Sequence, residues 1–253
     1  MTNPLTPATY LRHIADQAGR LAEIATTAAP TDLARPVPTC PGWTLRDLLA
    51  HLDDGHRWAR RLFGDRSAGQ EDTSDPEAAS FASGTHRFLA ALNAADPSTP
   101  AAGHDPADPT LRYWLRFEAH EHAIHRLDAE LALDRDAVPF ARDLAADGIG
   151  LVTDVELPRR LRTGRVDAAG LEPVLLAAAA DAAGLGAPAS PPDAWLIAVS
   201  PSATADDAVA RVAGTADALY RLVWGRRQLD GPALAVTGDR AAAARTLTAG
   251  LTP

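Results

Sequence analysis

The sequence predicts an α+β protein, with an antiparallel four-helix bundle at the N-terminal end and a smaller α+β domain at the C-terminal end. Apolar residues recur at helical spacing up to about residue 160, whereas short apolar stretches bounded by turn residues follow after residue 162. A length of 253 residues also suits two domains better than one. We therefore predict domains over 1–162 and 163–253.

Spacings of three and four between apolar residues predict the helices of the bundle. The predicted helices cover 6–28, 44–63, a segment ending near residue 92, and 111–133, with a shorter one between 139 and about 155. Loops rich in Pro, Gly, Ser and Asp join them. Thr44 is a suitable N-cap because its hydroxyl can accept a hydrogen bond from a free backbone N–H, and Asp47 suits the positive end of the helix dipole.

Short apolar runs between turn residues predict the strands of the second domain. The predicted strands are 195–199, 208–212 and 234–236, and the predicted helices are 215–223 and 240–251. The run 174–180 stays open, since its alanines favour a helix while the pattern of its neighbours favours a strand.

Composition excludes several classes of partner. The formal net charge of −9 argues against a nucleic-acid surface. The apolar runs are shorter than the roughly 18 residues that a membrane span needs, so no membrane partner is expected. A single cysteine and an N-terminus without a secretory pattern favour the reducing cytoplasm.

Three ionisable side chains occupy apolar helix faces, where an unpaired charge is costly. Glu121 and His125 are four positions apart, so both can reach one point beside their helix. His51 shares a face of the helix predicted over 44–63 with Gly55 and Trp58 and is the natural third ligand. Two imidazoles and one carboxylate would leave Zn²⁺ an open position, as in catalytic sites, although Fe²⁺ or another divalent ion fits the same donors.

A simpler interpretation is an ordinary helical pair between Glu121 and His125, which contributes a few tenths of a kcal/mol, roughly. The segment does not match the zinc-protease pattern His-Glu-x-x-His, because Ile124 stands where the second histidine is required. His120 and His122 point away from the face of Glu121, and we expect them to be solvated or to lie behind the ligands.

Other candidates carry weaker signals. Cys40 could be a nucleophile, but no base stands at a recognisable spacing, so a plain buried cysteine is favoured. Trp43 is expected to pack at the start of its helix. Arg226 and Arg227 follow a predicted helix, where the dipole favours them and where they could also bind carboxylates.

Two segments resemble the mycothiol-dependent maleylpyruvate isomerase family. They are Cys-Pro-Gly-Trp-Thr-Leu-Arg-Asp-Leu-Leu-Ala-His at 40–51 and Ala-His-Glu-His-Ala-Ile-His-Arg-Leu-Asp at 119–128. The runs Trp-Gly-Arg-Arg at 224–227 and Val-Thr-Gly-Asp at 236–239 look like the second domain of that family, so the resemblance extends over nearly the whole chain.

The resemblance implies a DinB-like metal-binding bundle followed by a sterol-carrier-like α+β domain. It implies that His51, Glu121 and His125 hold a divalent metal, usually zinc, and that mycothiol, the low-molecular-weight thiol of actinobacteria, takes the open position. Arg226 and Arg227 approximately match the family's substrate-binding arginine.

The resulting hypothesis is an enzyme that activates a thiol for attack on an electrophilic small molecule, either as a cis-trans isomerase or as a thiol S-transferase. Asp128 and Asp47 are expected to orient the ligand imidazoles. The alternative is a non-catalytic protein that binds a small molecule or a partner and carries a structural metal.

Overall fold

The computed structural model describes residues 4–65, 77–179 and 194–252. Packing divides them into two compact units, one over Leu5–Val138 and one formed from Pro139 onwards. Helices alone build the first unit and a sheet with helices builds the second, so the predicted α+β class is confirmed. The division between packed units falls at 138/139, and a domain boundary at 162/163 stays a prediction.

The first unit is a helical bundle. Its helices are α1 (Pro7–Thr27), α2 (Pro30–Leu33), α3 (Leu45–Leu62), α4 (Glu77–Ala94) and α5 (Leu111–Ala132). Helix α1 packs against α4 and α5, and α3 packs against the same two helices. Fully buried side chains such as Ile14, Leu48 and Leu115 fill the space between them. This packing places one face of α3 against α5.

A tight connection fixes where α3 begins. Thr44 accepts a hydrogen bond from the Asp47 N–H, and the Asp47 carboxylate accepts one from the Thr44 N–H at 2.8 Å, which forms a capping box. The Trp43 N–H donates to the Cys40 carbonyl across Gly42, whose φ of +87° is accessible to glycine without strain. Cys40 and Trp43 are thereby held beside the first turn of α3.

The second unit contains a four-stranded mixed sheet. Its elements are α6 (Arg142–Leu151), a π-helical turn (Val152–Glu156), α7 (Leu157–Arg162), β1 (Val174–Ala179), β2 (Ala194–Ile197), β3 (Ala210–Thr215), α8 (Ala216–Val223), β4 (Leu234–Gly238) and α9 (Arg240–Leu247). The strand order is β2-β1-β3-β4, with β1 parallel to β3 and the two outer pairs antiparallel. Helices α8 and α9 pack against β1 and β3.

The segment 174–180, which the sequence left undecided between helix and strand, forms a strand over Val174–Ala179. Because β1 is paired on both sides and largely buried, it appears in sequence as a continuous apolar run without alternation. Burial in the sheet outweighs the helix propensity of its alanines. Ala180 lies outside the described residues.

The helical segment after Pro139 extends further than the predicted end near 155, since α6, the π-helical turn and α7 run continuously from 142 to 162. Pro158 lacks a backbone N–H, and its ring would crowd the carbonyl of Asp154 in regular α-helix. The wider turn over Val152–Glu156 relieves that crowding. No described helix is long and apolar enough to cross a membrane.

Candidate metal centre

Three of the predicted site residues meet between α3 and α5. The Nε2 atom of His51 lies 3.0 Å from Oε1 of Glu121, and the Nε2 atom of His125 lies 3.2 Å from the same oxygen. One donor atom from each of these residues falls within 4.8 Å of the other two. The face-sharing predicted from the sequence therefore corresponds to a real convergence of side chains.

The cluster is open on one side. The side chain of His51 is 42% exposed and that of Glu121 is 26% exposed, whereas that of His125 is only 10% exposed. The inner imidazole is thus fixed by packing, and the outer one borders solvent. A small molecule could approach the three donors from the side of His51.

Asp128 determines how the His125 ring is oriented. Its Oδ2 atom lies 2.9 Å from Nδ1 of His125, and its other oxygen accepts a 2.6 Å hydrogen bond from the Thr39 hydroxyl. The Cys40 thiol donates to Asp128 Oδ2 at 3.5 Å. Because Asp128 is fully buried and acts as an acceptor, it favours a proton on Nδ1 and leaves Nε2 directed at Glu121.

The electrostatics of the centre favour a charged carboxylate. Burial alone would raise the pKa of the Glu121 carboxyl, but hydrogen bonds from His125 and His51 outweigh it and hold that pKa well below its usual value. Burial alone would lower the pKa of His125, but hydrogen bonding to Asp128, Cys40 and Glu121 raises it well above its usual value. The His125 ring thus lies between two carboxyl groups.

The donor set suits a divalent metal ion. Tetrahedral zinc with bonds of roughly 2.0–2.1 Å separates its donor atoms by roughly 3.3 Å, close to the 3.0 and 3.2 Å spacings of His51 and His125 from Glu121. The hydrogen bond that the far nitrogen of His125 donates to Asp128 is the usual support of a metal-ligating histidine. The residues present therefore fit a metal with three protein ligands.

A second group of potential donors shares one of these residues. Cys40, His125 and Asp128 also offer atoms within 4.8 Å of one another, on the Nδ1 side of the ring. An imidazole bound through Nε2 keeps its proton on Nδ1, so the two groups are alternatives for a single ion. The Asp128 hydrogen bond favours the group with His51 and Glu121.

Trp43 and Cys40 lie closer to the centre than the sequence indicated. The Trp43 ring centroid is 5.0 Å from that of His51 and 6.4 Å from that of His125, so Trp43 packs on the candidate ligands as well as at the helix start. Cys40 is partly buried and contacts Asp128. Asp47, expected to orient an imidazole, has its carboxylate hydrogen-bonded to Thr44 in the capping box.

Of the two alternatives predicted for His120 and His122, solvent exposure is excluded because both side chains are buried. Nε2 of His122 lies 2.8 Å from Nε2 of His56, and its Nδ1 lies 2.8 Å from the Glu118 carbonyl oxygen. Burial lowers the pKa of His122 to about 4, and burial together with the charge of His122 lowers the pKa of His56 well below its usual value. A pair of neutral imidazoles thus lies behind the candidate ligands.

The predicted arginine pair lies in the second unit, just after α8. Gly225, at a φ of +71°, ends the helix, and the Arg226 N–H donates to the Arg221 carbonyl at 2.7 Å. Arg226 and Arg227 line a cavity of about 710 Å³ that also includes Trp224. The Nε atom of Arg227 is buried without a hydrogen-bond partner among the described groups, whereas Arg226 donates to the Trp224 carbonyl at 2.8 Å.

Sequence reasoning missed the contribution of Thr39 and the pairing of His56 with His122. Thr39 reaches Asp128 across 89 positions of sequence, and His56 reaches His122 across 66. No spacing rule connects residues on separate elements. The position of Thr39 directly before the Cys-Pro-Gly-Trp run was the only local signal.

The helical bundle and the candidate metal centre together define a class of protein. It is a helical domain in which two histidines and one glutamate are placed so that they could hold a divalent metal and leave one coordination position open. Residues 14–130 match the family model described as the mycothiol maleylpyruvate isomerase N-terminal domain. This helical part of the chain therefore matches the mycothiol-dependent maleylpyruvate isomerase family, and the resemblance noted from its sequence motifs is confirmed.

Two solved structures share the fold of the chain. One is a crystal structure of the mycothiol-dependent maleylpyruvate isomerase, with a TM-score of 0.57 and 15% sequence identity over 94% of this chain and 97% of that one. The other is a histidine-to-alanine mutant of the mycothiol-dependent maleylpyruvate isomerase, with a TM-score of 0.58, 14% identity and the same coverage. No curated protein sequence is similar enough to count as a relative. At these identities the likeness establishes the fold.

Proposed function

We propose that this protein is a zinc-dependent enzyme that uses mycothiol to attack an electrophilic small molecule. The proposal depends above all on the convergence of His51, Glu121 and His125 on one point, with donor spacings of 3.0 and 3.2 Å. The match of residues 14–130 to the family model supports mycothiol as the thiol. The reaction is either a cis-trans isomerisation or a thiol S-transfer.

Each of the three side chains has a distinct part in holding the metal. Glu121 supplies a negative charge, kept ionised by the two flanking imidazoles. His125 offers Nε2 because Asp128 holds the other nitrogen, and His51 closes the site from its exposed side. A zinc ion bound there would lower the pKa of a thiol in its open position, which makes a thiolate available near neutral pH.

The chemical outcome depends on the electrophile. Thiolate attack forms a carbon–sulfur bond while the electron pair of the attacked double bond moves to a conjugated oxygen. If that pair returns after rotation about the former double bond, the thiolate leaves and the isomer is released. If a proton is added at carbon instead, the thioether persists as the S-transfer product.

Arg226 and Arg227 are proposed to bind a carboxylate of the substrate. The Nε atom of Arg227 is buried, has no hydrogen-bond partner among the described residues and lies beside a 710 Å³ cavity. This arrangement supports the role, because a buried donor gains most from a charged acceptor. Replacing Arg227 with Gln should raise KM for carboxylate-bearing electrophiles and leave KM for uncharged ones unchanged.

Metal analysis of purified protein tests the ligand assignment. We expect about one zinc per chain in the wild type and loss of stoichiometric zinc in His51→Ala, with His86→Ala as an exposed histidine control on α4 that keeps its metal. Full retention of zinc in His51→Ala would reject the assignment.

Thiol consumption with mycothiol and a panel of electrophiles tests the activity. Turnover that disappears in His51→Ala is expected for the enzyme. Ligand binding without turnover would favour a non-catalytic binding protein. Unfolding on chelation, again without turnover, would favour a structural metal.

A further inference from the structure

The face of α3 and α5 that carries the metal centre continues onto a set of aromatic side chains. The Trp58 and Trp114 rings meet edge to face with centroids 4.8 Å apart, and Phe117 meets Trp114 in the same way at 5.6 Å. His104 adds its edge to Trp114 at 5.7 Å. We call these four residues the aromatic wall.

The wall is continuous with the candidate ligands. Trp58 follows His51 by seven residues, and Trp114 precedes Glu121 by seven, so each tryptophan stands on the same helix face about 10 Å along the axis. Phe117 is one turn from Glu121. The metal centre and the wall thus form one surface within the first unit.

Trp114 forms the buried base of the wall, and Trp58 is its exposed member. The Trp114 ring is anchored by a 3.0 Å hydrogen bond from its Nε1 to the Ala102 carbonyl. Trp58 is 40% exposed, although a tryptophan on a bundle helix would ordinarily be buried. An exposed aromatic ring that packs on a buried one beside the candidate metal centre is suited to binding a ligand.

Gly55 leaves the surface between His51 and Trp58 unobstructed. It lies on the same helix face, and a Cβ built on it would meet no atom of the described residues within 4 Å, so packing among them does not require a glycine there. A glycine inside a helix is less favourable than an alanine. The missing side chain keeps open the path that a ligand would need between the centre and the wall.

Charge along the two helices does not favour an anionic ligand here. Arg57 is paired with Asp53 and Asp54, and Arg112 is paired with Asp108. The other arginines of α3 and α5 also interact with neighbouring groups; they are Arg46, Arg60, Arg61, Arg116 and Arg126. Recognition at this surface therefore rests on ring faces and edges.

We propose that the aromatic wall binds an aromatic portion of the electrophile, placed on the order of 10 Å or less from the carbon that the thiol attacks. This inference rests on the proposed function for the identity of the reactive carbon. It names the substrate class as an extended electrophile with an aromatic ring at one end.

Binding of unreactive probes tests the wall separately from the chemistry. The probes are 4-phenylbutan-1-ol and 4-cyclohexylbutan-1-ol, titrated into the zinc-loaded protein and followed by tryptophan fluorescence and by ligand-observed NMR. Cyclohexyl is the more hydrophobic group, so preference for phenyl reports ring-to-ring contact. We expect the wild type to bind the phenyl probe more tightly than the cyclohexyl probe. Trp58→Ala should bind the phenyl probe about tenfold more weakly than the wild type does, and Trp58→Phe should restore much of that affinity.

A pair of glycine variants separates obstruction from effects on stability. Gly55→Leu should weaken binding of the phenyl probe, because the leucine side chain fills the path along α3. Gly19→Leu makes the same change at an exposed position of α1 that also has nothing within 4 Å, and should leave binding unchanged. Both variants gain helix propensity, so neither should be less stable than the wild type for that reason. Weaker binding of the phenyl probe by Gly55→Leu but not by Gly19→Leu would therefore support the proposal.

Turnover then connects the wall with the reaction. The electrophiles are 7-phenylhept-3-en-2-one and its cyclohexyl counterpart; mycothiol would add at the alkene carbon remote from the carbonyl, and a proton would add at the neighbouring carbon. We expect a higher kcat/KM for the phenyl compound than for the cyclohexyl compound. Trp58→Ala should abolish this difference, mainly by raising KM for the phenyl compound. If the probes bind but no electrophile is turned over, the proposed function is contradicted and the proposed binding role of the aromatic wall is still supported.

Other outcomes would overturn the wall itself. Equal binding of the two probes, or binding unaffected by both Trp58→Ala and Gly55→Leu, would show that no aromatic ligand uses this surface. A shift of oligomeric state in Trp58→Ala, seen by sedimentation with probe binding unchanged, would assign Trp58 to a contact between copies of the chain.

Discussion

The His125 ring is held between two carboxylates, with Nδ1 2.9 Å from Asp128 and Nε2 3.2 Å from Glu121. Asp128 is fully buried, and its second oxygen accepts a hydrogen bond from Thr39. The orientation of the candidate ligand therefore depends on a residue that would not touch the metal and on a loop that precedes α3.

Replacing Asp128 with Asn should weaken zinc binding by about 10- to 100-fold, because the amide no longer enforces a proton on Nδ1 of His125. Thr39→Val should have a smaller effect in the same direction, since it removes only one hydrogen bond to Asp128. Competition with a chromophoric chelator measures both. Asp134→Asn, an exposed carboxylate in the same unit, is the control. An unchanged zinc affinity in Asp128→Asn would show that the hydrogen bond does not position the ring.

Replacing Thr44 with Ala should lower the free energy of unfolding by about 1 kcal/mol, because the capping box at the start of α3 is lost. Chemical denaturation measures the change. Thr26→Ala removes an exposed hydroxyl that bonds only to the Ala22 carbonyl and should cost less. Equal losses in the two variants would mean that the cap contributes nothing particular to α3.

Acid should destabilise the protein through His56. Its pKa is lowered on folding by burial, so below the ordinary value of about 6.5 the unfolded chain binds the proton more readily than the folded one. The free energy of unfolding should thus fall as the pH decreases from about 6.5 towards the folded-state pKa, by about 1.4 kcal/mol per pH unit for each proton.

Denaturation at a series of pH values tests this dependence. His56→Phe keeps a ring against Phe88 and should reduce the slope by about one proton between pH 6 and 5, whereas His86→Phe, at an exposed position, should not. An identical slope in wild type and His56→Phe would assign the acid sensitivity to other groups.

Gly238→Ala should destabilise the second unit by about 3 kcal/mol. Its φ is +81°, and a Cβ would collide with the Val209 carbonyl oxygen at the edge of the sheet. Gly170 has a similar φ of +73° with nothing within 4 Å, so Gly170→Ala should cost only about 1–2 kcal/mol. Thermal unfolding compares the two, and equal losses would show that the backbone contact with Val209 relaxes.

Much of the fold could be predicted because local signals agreed with the tertiary structure. The helix over 7–27 and the one over 111–132 follow from apolar spacing, and α3 begins where its capping box predicted. The strand at 174–179 could not be assigned, because its burial between two neighbouring strands is decided by partners 17 to 36 positions away. The helix period alone placed Glu121 beside His125 on one helix and His51 on a face of another.

The sequence by itself determined which residues share a helix face, since the period of 3.6 residues is a property of the backbone. On that basis Glu121 and His125 had to be neighbours, and His51 had to face the same way as Gly55 and Trp58. Only the tertiary structure decided that α3 packs against α5 so that His51 meets Glu121, and that Thr39 and Cys40 support Asp128. Contacts between elements depend on how helices pack, and helix packing is set by the sum of many buried side chains.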